Sequence, residues 1–290
     1  MVKTVYLNNT FMQEDQAAIS PLNNGYLFGE GLFETLRSDR GYPFRLAQHL
    51  ERLRSGLRKL ALPEPPDLNC SAEIIKELLK RNHLSQTPAN IKMVVSRDSS
   101  PPARTGETPP SSLMIRASAL DLAEISRRQQ GMRALILPWR RDQHNPLLSL
   151  KSLNYLENRY ALREARSRGF DEGIFLNQAG ELCEGTFSNI FLIQDKTLLT
   201  PPLNAGILPG ITRDFILESA GRLAIDCRTI PLHPQIIKTC DGAFLTSSLM
   251  QIAPLLELDK HAFDLKQTVE LRRRLHRTFT EKVLPSHPWG

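Results

Sequence analysis

The chain has 290 residues, a length that suits two domains of ordinary size, and its 41% hydrophobic and 23% charged residues are typical of a globular protein with ample material for a core. The net charge of +6 would suit nucleic acid, but the densest basic stretch, 272–277, lies in a predicted amphipathic helix where a solvated face explains it, so we predict no nucleic-acid partner. No apolar run approaches the roughly 18 residues of a membrane span, and the first ten residues predict a strand rather than a signal peptide, which favours a cytoplasmic protein without a membrane partner.

Cysteine and histidine positions argue against a metal site. The four cysteines are widely scattered without a C-x-x-C pair, which favours free thiols over a metal site or a disulfide framework. His49, His144 and His233 lack the spacing of metal ligands. We therefore predict no bound metal and give these histidines no role.

The first 120 residues alternate short strands with helices. The predicted elements are, in chain order, a hairpin over Val5–Met12, a second hairpin from Leu32–Ser38 to Tyr42–Arg45, helices at Leu46–Leu62 and about Ser71–Leu84, and strands at Ile91–Arg97 and Leu113–Ala119. The segment Ser99–Pro110 is rich in proline and polar residues and is predicted to be a loop. Loops of this length inside a compact domain are often functional.

Charge and glutamine rise over residues 121–131, which we interpret as an interdomain linker. Beyond it the predicted elements are, in chain order, strands from Arg133, a helix from Lys151 to near Gly169, hairpins through Gly173–Thr200, a helix at Ile211–Leu223, strands at Ala243–Thr246 and Ile252–Glu257, and a last helix at Leu265–Val283. The pattern predicts an α+β protein with an N-terminal α/β domain over residues 1–120 and a C-terminal domain over residues 132–290 that carries Lys151.

Lys151 stands where the apolar run ending at Leu150 gives way to a helical pattern. By itself it would be an ordinary surface lysine, because lysine is rarely buried. In a mostly apolar site, however, burial disfavours the ammonium form and yields the free amine that Schiff-base chemistry needs. Such chemistry implies a carbonyl cofactor, which makes Lys151 a candidate catalytic residue.

Glu184 is the candidate acid for such a cofactor. Pyridoxal catalysis needs an acid beside the ring nitrogen, because a protonated pyridinium withdraws electrons from the reacting carbon. Glu184 is predicted to lie on an apolar strand that ends in Ser188 to Phe191. Alternatively, Glu184 is an ordinary carboxylate at the edge of a strand.

A phosphate group would need amides at a helix start and a counter-ion. The helix start at Ile211 and Thr212 offers unpaired backbone donors and the positive end of the helix dipole, although an ordinary helix start has the same features. Ser247 and Ser248 could complete the phosphate site or form a plain turn. Arg52, on the first long helix, offers a planar cation, or is a solvated helical arginine.

These residues occur in motifs that resemble the class IV (fold type IV) pyridoxal phosphate enzymes, the group of branched-chain aminotransferase, D-amino acid aminotransferase and 4-amino-4-deoxychorismate lyase. The similar segments, in the order of the family, include Ala18–Pro21, Phe28–Thr35, Glu184–Asn189, Leu208–Arg213 and Ile252–Pro254. The resemblance covers nearly the whole chain. It implies a two-domain fold like that of D-amino acid aminotransferase with the active site between the domains, pyridoxal 5'-phosphate as cofactor, and a homodimer.

The resemblance also implies residue roles. Lys151 would be the Schiff-base lysine, Glu184 would bind the pyridine nitrogen, and Tyr155 would hydrogen-bond the phenolic oxygen. Leu208 would pack behind the ring. The phosphate would be bound by Arg52, Ile211, Thr212 and Ser248.

Within the family, the lyase is the most similar subgroup. Counterparts of Phe33-Glu34-Thr35, Ser96-Arg97 and Thr246-Ser247-Ser248 occur there. The D-amino acid enzyme would have tyrosine at Phe33 and an Arg-x-His sequence in the loop, and branched-chain enzymes usually have glycine at Thr35 and a Gly-Thr-Ala run near residues 246–250. The chain departs from lyases at Asp98, where they often have glycine.

The implied reaction converts 4-amino-4-deoxychorismate to p-aminobenzoate and pyruvate, a step of folate biosynthesis. Phe33, Arg97 and Arg104 would contact the anionic substrate, with surface arginines as the alternative for the last two. Thr35 would position the substrate or relay a proton. The alternative function is a class IV aminotransferase acting on branched-chain, D- or a broad range of amino acids.

Overall fold

The structure, a computed structural model, describes residues 2–98 and 110–282. Contacts between residues divide the chain into two compact units. The first contains the described residues up to Leu120 together with Leu150–Asn154, and the second contains Asp121–Ser149 and the described residues from Tyr155 onward. The expectation of an α+β protein with two domains is confirmed.

The first unit is one antiparallel sheet with two long helices. Its described elements are β1 (Thr4–Leu7), β2 (Thr10–Gln13), α1 (Asn24–Phe28), β3 (Gly31–Asp39), β4 (Tyr42–Pro43), α2 (Leu46–Lys59), α3 (Ser71–Arg81), β5 (Ala89–Arg97) and β6 (Ser111–Ala119). The strand order among these residues is β2-β1-β6-β5-β3-β4. Asn8 and Asn9 both take positive φ, as the tight turn of the predicted first hairpin requires.

Side-chain alternation along β3 divides the first unit into two faces. Leu32 and Leu36 point into a hydrophobic core with Leu53 and Leu57 of α2. α2 lies close to this face because its Gly56 has no side chain: an added Cβ would stand 2.6 Å from Leu32 Cδ1. The alternate residues of β3 point to the opposite face.

The segment around Lys151 extends the first unit beside β3. The Phe33 amide donates to the Lys151 carbonyl at 2.8 Å, the Leu153 amide donates to the Gly31 carbonyl at 2.9 Å, and Ser152 forms a bridge with Leu32. Lys151 is therefore in extended backbone. We expected a helix from Lys151 within the C-terminal domain, but α5 begins only at Leu156 and the contacts of the lysine are with the first unit.

The second unit is built on a mixed sheet. Its described elements are α4 (Leu122–Gln130), β7 (Met132–Arg141), α5 (Leu156–Ser167), β8 (Glu172–Asn177), β9 (Leu182–Gly185), β10 (Asn189–Gln194), β11 (Thr197–Thr200), α6 (Ile211–Arg222), β12 (Cys227–Thr229), β13 (Gly242–Ser247), β14 (Gln251–Leu258), β15 (His261–Ala262) and α7 (Leu265–Lys282). The strand order is β12-β11-β10-β13-β14-β7-β8-β9, and β15 pairs with β14. A further pairing of β9 with β10 closes part of this sheet into a ring.

The segment at 121–131, expected as a linker, contains helix α4 and belongs to the second unit. Asp121 caps the helix by accepting from the Glu124 amide at 3.0 Å. Glu124 then pairs with Arg127 and Arg128 one turn away. The charge that suggested a linker therefore stabilises a surface helix, in which Ile125 is buried.

No helix among residues 2–98 and 110–282 is long and apolar enough to cross a membrane.

Candidate active site

Lys151 lies against the ring of Phe33. The Lys151 side chain is half-buried, and its Nζ is 4.5 Å from the centre of the ring. The Nζ of Lys92 on β5 lies 4.7 Å from the same centre. The structure therefore brings together the predicted catalytic lysine, a predicted substrate-contact residue and a second ammonium group that the sequence analysis did not select.

Thr35 follows Phe33 on the same face of β3, because side chains two apart in a strand point the same way. In the β3–β5 register, Thr35 stands opposite Lys92. Directly opposed residues of antiparallel strands have neighbouring side chains. A hydroxyl and an ammonium group thus lie side by side, next to the Phe33 ring.

Glu34 points to the other face of β3 and forms a buried network with α2. Its Oε1 accepts from Arg52 Nε at 2.8 Å, and its Oε2 accepts from Arg52 Nη2 and from His49 Nδ1, both at 2.7 Å. Burial alone would raise the pKa of Glu34, but Arg52 and His49 outweigh it and lower the pKa to about 2. Arg52, the predicted phosphate counter-ion, is thus held by a carboxylate that the sequence analysis missed.

His49 is fully buried, and burial lowers its pKa despite the opposing effect of Glu34; the charges of Arg52 and Lys151 lower it further. A neutral imidazole beside an ionised carboxylate must donate its Nδ1 proton, because the carboxylate only accepts. His49, to which we gave no role, therefore orients Glu34 from the second side.

Replacing Glu34 with glutamine is expected to lower the free energy of unfolding at pH 7 by about 3 to 5 kcal/mol, because the change leaves the Arg52 guanidinium largely buried and without its carboxylate. The lowering of the Glu34 pKa from 4.5 to about 2 itself corresponds to about 3 kcal/mol. A group whose pKa is depressed by folding stabilises above its unfolded pKa and loses that contribution as pH falls. Urea unfolding should therefore show the gap between wild type and variant narrowing from pH 5 toward pH 2.

The matched control is Glu51→Gln, which removes a pair with Arg58 on the exposed surface of α2. Glu51→Gln should lower the free energy of unfolding by less than about 1 kcal/mol. A Glu34→Gln gap that is constant from pH 7 to pH 3 would contradict the assignment of Glu34 as the ionised partner.

Glu184, in the second unit, is buried and accepts hydrogen bonds at both carboxylate oxygens. Its Oε1 accepts from Arg141 Nη1 at 3.2 Å, and its Oε2 accepts from the Leu208 amide at 3.0 Å and from Asn189 Nδ2 at 3.3 Å. Arg141 is itself buried and also pairs with Glu157 at 3.0 Å. The carboxylate therefore has the surroundings of a fixed anion, as an acid that keeps a ring nitrogen protonated requires.

The start of α6 lies next to this carboxylate. Gly210, at the start of the helix, has no side chain with which to cap it, and Ile211 and Thr212 in the first turn are buried. A Cβ at position 210 would collide with Asn189 Oδ1, so glycine is needed there. Asn189 also donates to the Leu208 carbonyl at 3.1 Å and thereby ties the helix start to Glu184.

One buried hydroxyl near this helix start is unsatisfied. Thr246, at the end of β13, stands opposite Asn189 in the β10–β13 register, and its Oγ1 has no hydrogen-bond partner among the described residues. Ser247 and Ser248, the two hydroxyl residues that we predicted, follow it and are half-buried. Because buried polar groups are normally satisfied, the Thr246 hydroxyl is suited to bond a ligand oxygen at this helix start.

Tyr155 binds the turn after Glu184. Its hydroxyl donates to the Thr186 carbonyl at 2.9 Å, and Asn158 Nδ2 donates to the same oxygen at 2.8 Å. Burial raises the pKa of the Tyr155 hydroxyl, and the charges of Glu184 and Glu172 raise it further. The phenol thus stays protonated, as a hydrogen-bond donor to a cofactor oxygen would have to be.

The predicted substrate arginines are placed differently. Arg97 donates from Nε to Glu30 at 2.7 Å and from Nη2 to the Ala61 carbonyl at 3.1 Å, so its charge is already paired within the first unit. A substrate carboxylate would have to share or displace Glu30. Arg104 lies outside the described residues.

Comparison with known proteins shows the family to which the chain belongs. The family model for amino-transferase class IV matches residues 31–258. The chain is 32% identical over 259 residues to the aminodeoxychorismate lyase of Bacillus subtilis, covering 88% of this chain and 87% of the relative. It is also 32% identical over 284 residues to a putative branched-chain-amino-acid aminotransferase of Methanocaldococcus jannaschii, covering 96% of this chain and 95% of that relative.

Among solved structures, the branched-chain aminotransferase of Thermoproteus uzoniensis with norvaline superposes with a TM-score of 0.85 at 29% identity, covering 100% of this chain and 98% of that one. The chain belongs to the class IV aminotransferase family, and its cofactor is pyridoxal 5'-phosphate. The residues present fit that cofactor: an uncapped helix start with an unsatisfied hydroxyl suits its phosphate, and a fixed carboxylate suits its ring nitrogen.

Proposed function

We propose that the protein is a cytoplasmic aminodeoxychorismate lyase that converts 4-amino-4-deoxychorismate to p-aminobenzoate and pyruvate for folate biosynthesis. The observation that carries the proposal is the hydroxyl of Thr35 beside Phe33, with Lys92 opposite it and the Lys151 amine against the same ring. A reaction that expels an enolpyruvyl oxygen benefits from a proton donor at this position. The similarity to the Bacillus subtilis lyase supports the same reaction.

When bound, pyridoxal phosphate supplies an aldehyde for covalent attachment and a pyridinium that withdraws electrons from the carbon bearing the substrate nitrogen. Lys151 would hold the cofactor through its amine, and the same amine would take the proton from the substrate carbon that bears the nitrogen. Glu184 holds a proton at the ring nitrogen, with Arg141 fixing its carboxylate. Thr35 relays a proton to the departing oxygen.

The remaining residues bind and orient the cofactor and the substrate. The phosphate is bound by Ile211, Thr212, Ser247, Ser248 and Arg52. Leu208 packs behind the ring while its amide holds Glu184. With the cofactor bound, the Tyr155 hydroxyl would turn its single proton from the Thr186 carbonyl to the phenolic oxygen. The carboxylates of the substrate are bound by Arg97, Arg104 and, we add from the structure, Lys92, whose ammonium group lies beside Phe33.

The second candidate is a class IV aminotransferase, favoured by the similarity to the Methanocaldococcus jannaschii and Thermoproteus uzoniensis proteins. Lys151 and Glu184 would serve this reaction equally, because both begin by removing a proton from the carbon next to nitrogen. The difference is where the next proton goes. A transaminase needs no proton donor for a departing oxygen, which gives Thr35 a function only in the lyase.

An assay with purified enzyme and 4-amino-4-deoxychorismate should yield p-aminobenzoate and pyruvate in equal amounts. We expect Thr35→Val, which removes only the hydroxyl, to lower the rate of p-aminobenzoate formation by about 10²-fold, and Thr35→Ser to retain most of it. Incubation with branched-chain or D-amino acids and 2-oxoglutarate serves as the parallel measurement. Keto acid exchange without any p-aminobenzoate would contradict the lyase and support the aminotransferase.

The partner that we propose is a second copy of the chain. Large apolar side chains are exposed on one segment of the first unit, namely Ile19, Leu22, Tyr26, Leu27 and Phe28. An apolar segment of this kind is typical of a protein interface. Sedimentation that finds only monomers at micromolar concentration would contradict the homodimer.

A further inference from the structure

Glu172, at the start of β8, is a buried carboxylate without a cation. It is 0% exposed, and no described basic side chain forms an ion pair with it. Burial raises the pKa of Glu172, while hydrogen bonds from Thr186, Ser188 and the Gly173 amide oppose that rise. Burying a carboxyl group with neutral partners alone is costly, so several hydrogen bonds are needed to hold it there.

All but one of the donors to Glu172 belong to the turn that joins β9 to β10. Oε1 accepts from the Thr186 amide at 2.9 Å and from Thr186 Oγ1 at 2.5 Å, and Oε2 accepts from Ser188 Oγ at 2.9 Å. The remaining donor is the amide of Gly173 at 3.0 Å. The carboxylate thus fastens both ends of a three-residue turn to β8.

The turn is packed tightly onto this carboxylate. The Gly185 amide donates to the Ser188 carbonyl at 2.6 Å. A Cβ on Gly185 would come within 2.8 Å of Glu172 Oε2 and closer still to Ser188 Oγ. Glycine before the turn is therefore required by the buried acid, and the position of the turn cannot change independently of Glu172.

The same turn carries the groups proposed to act on the cofactor ring. Glu184 precedes it and Asn189 follows it, and these two side chains bond each other. The Thr186 carbonyl accepts from both Tyr155 and Asn158. Asn158 Oδ1 in turn accepts from Arg141 Nη2 at 3.0 Å, and Arg141 holds Glu184.

We propose that Glu172 is a positioning residue that fixes the turn and thereby sets the orientation of Glu184 and Tyr155 toward the cofactor ring; the inference rests on the proposed roles of those two residues. The chemistry requires a carboxylate. A carboxylate accepts from all four donors at once, whereas glutamine has two amide protons in this site and the Ser188 hydroxyl could accept at most one of them.

The test compares Glu172→Gln with a matched pair in the turn, Thr186→Val and Thr186→Ser. Glu172→Gln and Thr186→Val should weaken pyridoxal phosphate binding to the apoprotein by about 10- to 100-fold, the range for residues that orient ligand-binding groups from behind. Both variants should also shift the pH midpoint at which the visible absorbance of the bound cofactor changes. That midpoint depends on the charges and hydrogen bonds around the cofactor ring, and therefore on the orientation of Glu184 and Tyr155. Thr186→Ser keeps the hydroxyl, so its affinity for pyridoxal phosphate and its absorbance midpoint should both be close to those of the wild type.

Leu275→Ala is the stability control, since Leu275 is fully buried on α7, which packs against α6, β13 and β14. It should lower the melting temperature without moving the absorbance midpoint. If Glu172→Gln and Thr186→Val also change only the melting temperature, Glu172 is a structural residue and the inference is overturned. If Glu184→Gln itself leaves cofactor binding and the midpoint unchanged, the proposed role of Glu184 fails instead. Should Glu172→Gln not fold, the two Thr186 variants decide the question alone.

Discussion

Lys151→Ala is expected to lower kcat/KM by roughly 10³-fold or more, whichever class IV reaction the protein catalyses, because the change removes both the covalent attachment and the base. The measurement is p-aminobenzoate release, with keto acid exchange in parallel. Treatment of the wild-type holoenzyme with borohydride should fix the cofactor on the peptide that contains Lys151, which mass spectrometry can identify. The alanine variant should bind cofactor only reversibly.

Lys92→Ala is the matched control, because Lys92 presents the second ammonium group to the same ring. In this variant the borohydride label should remain on Lys151, while the KM for an anionic substrate should rise. A label on Lys92 or on any other lysine of the wild-type protein would contradict the assignment of the catalytic amine.

Glu184→Gln is expected to lower kcat by about 10²- to 10³-fold, the range for removing one group that stabilises charge in a transition state. Glutamine can donate to or accept from the ring nitrogen but cannot hold a positive charge there. The variant also leaves Arg141 with Glu157 as its remaining carboxylate partner, so its stability should be measured alongside its activity.

The control for this substitution is Glu181→Gln, at a nearby glutamate that pairs with Asn177 instead of the ring-side groups. Its kcat should stay close to that of the wild type. Equal losses in the two variants would indicate a general effect of charge on the second unit, and would contradict a specific role of Glu184.

Local patterns in the sequence were sufficient for much of the fold. The alternation of β3 and the paired asparagines of the first hairpin depend on neighbouring residues, and the structure has both. The start of α6 at Ile211 follows from Pro209 and Gly210 in the same way. Features of this kind are predictable because the interactions that decide them lie within a few residues.

Long-range pairing limited the prediction of the site. Arg141 reaches Glu184 from 43 residues away, and no pattern within either segment indicates that bond. Arg52 was interpreted as a phosphate counter-ion or a solvated helical arginine, and its partner Glu34 was missed because that residue lies on a strand that only folding brings beside α2. The helix at residues 122–130 was missed for a different reason, since its charged residues resemble a linker until they pair with each other.

Glu184 and Asn189 are also the residue pair through which β9 meets β10, and this single pairing completes the ring of strands in the second unit. The ring of strands is thus closed at two residues, of which Glu184 is proposed to act on the cofactor and Asn189 bonds its carboxylate. A coenzyme bound at these residues would stabilise the closed ring of strands. The free energy of unfolding of the second unit would then rise with the logarithm of the coenzyme concentration. The concentration of coenzyme would then set the lifetime of the folded enzyme as well as its catalytic rate.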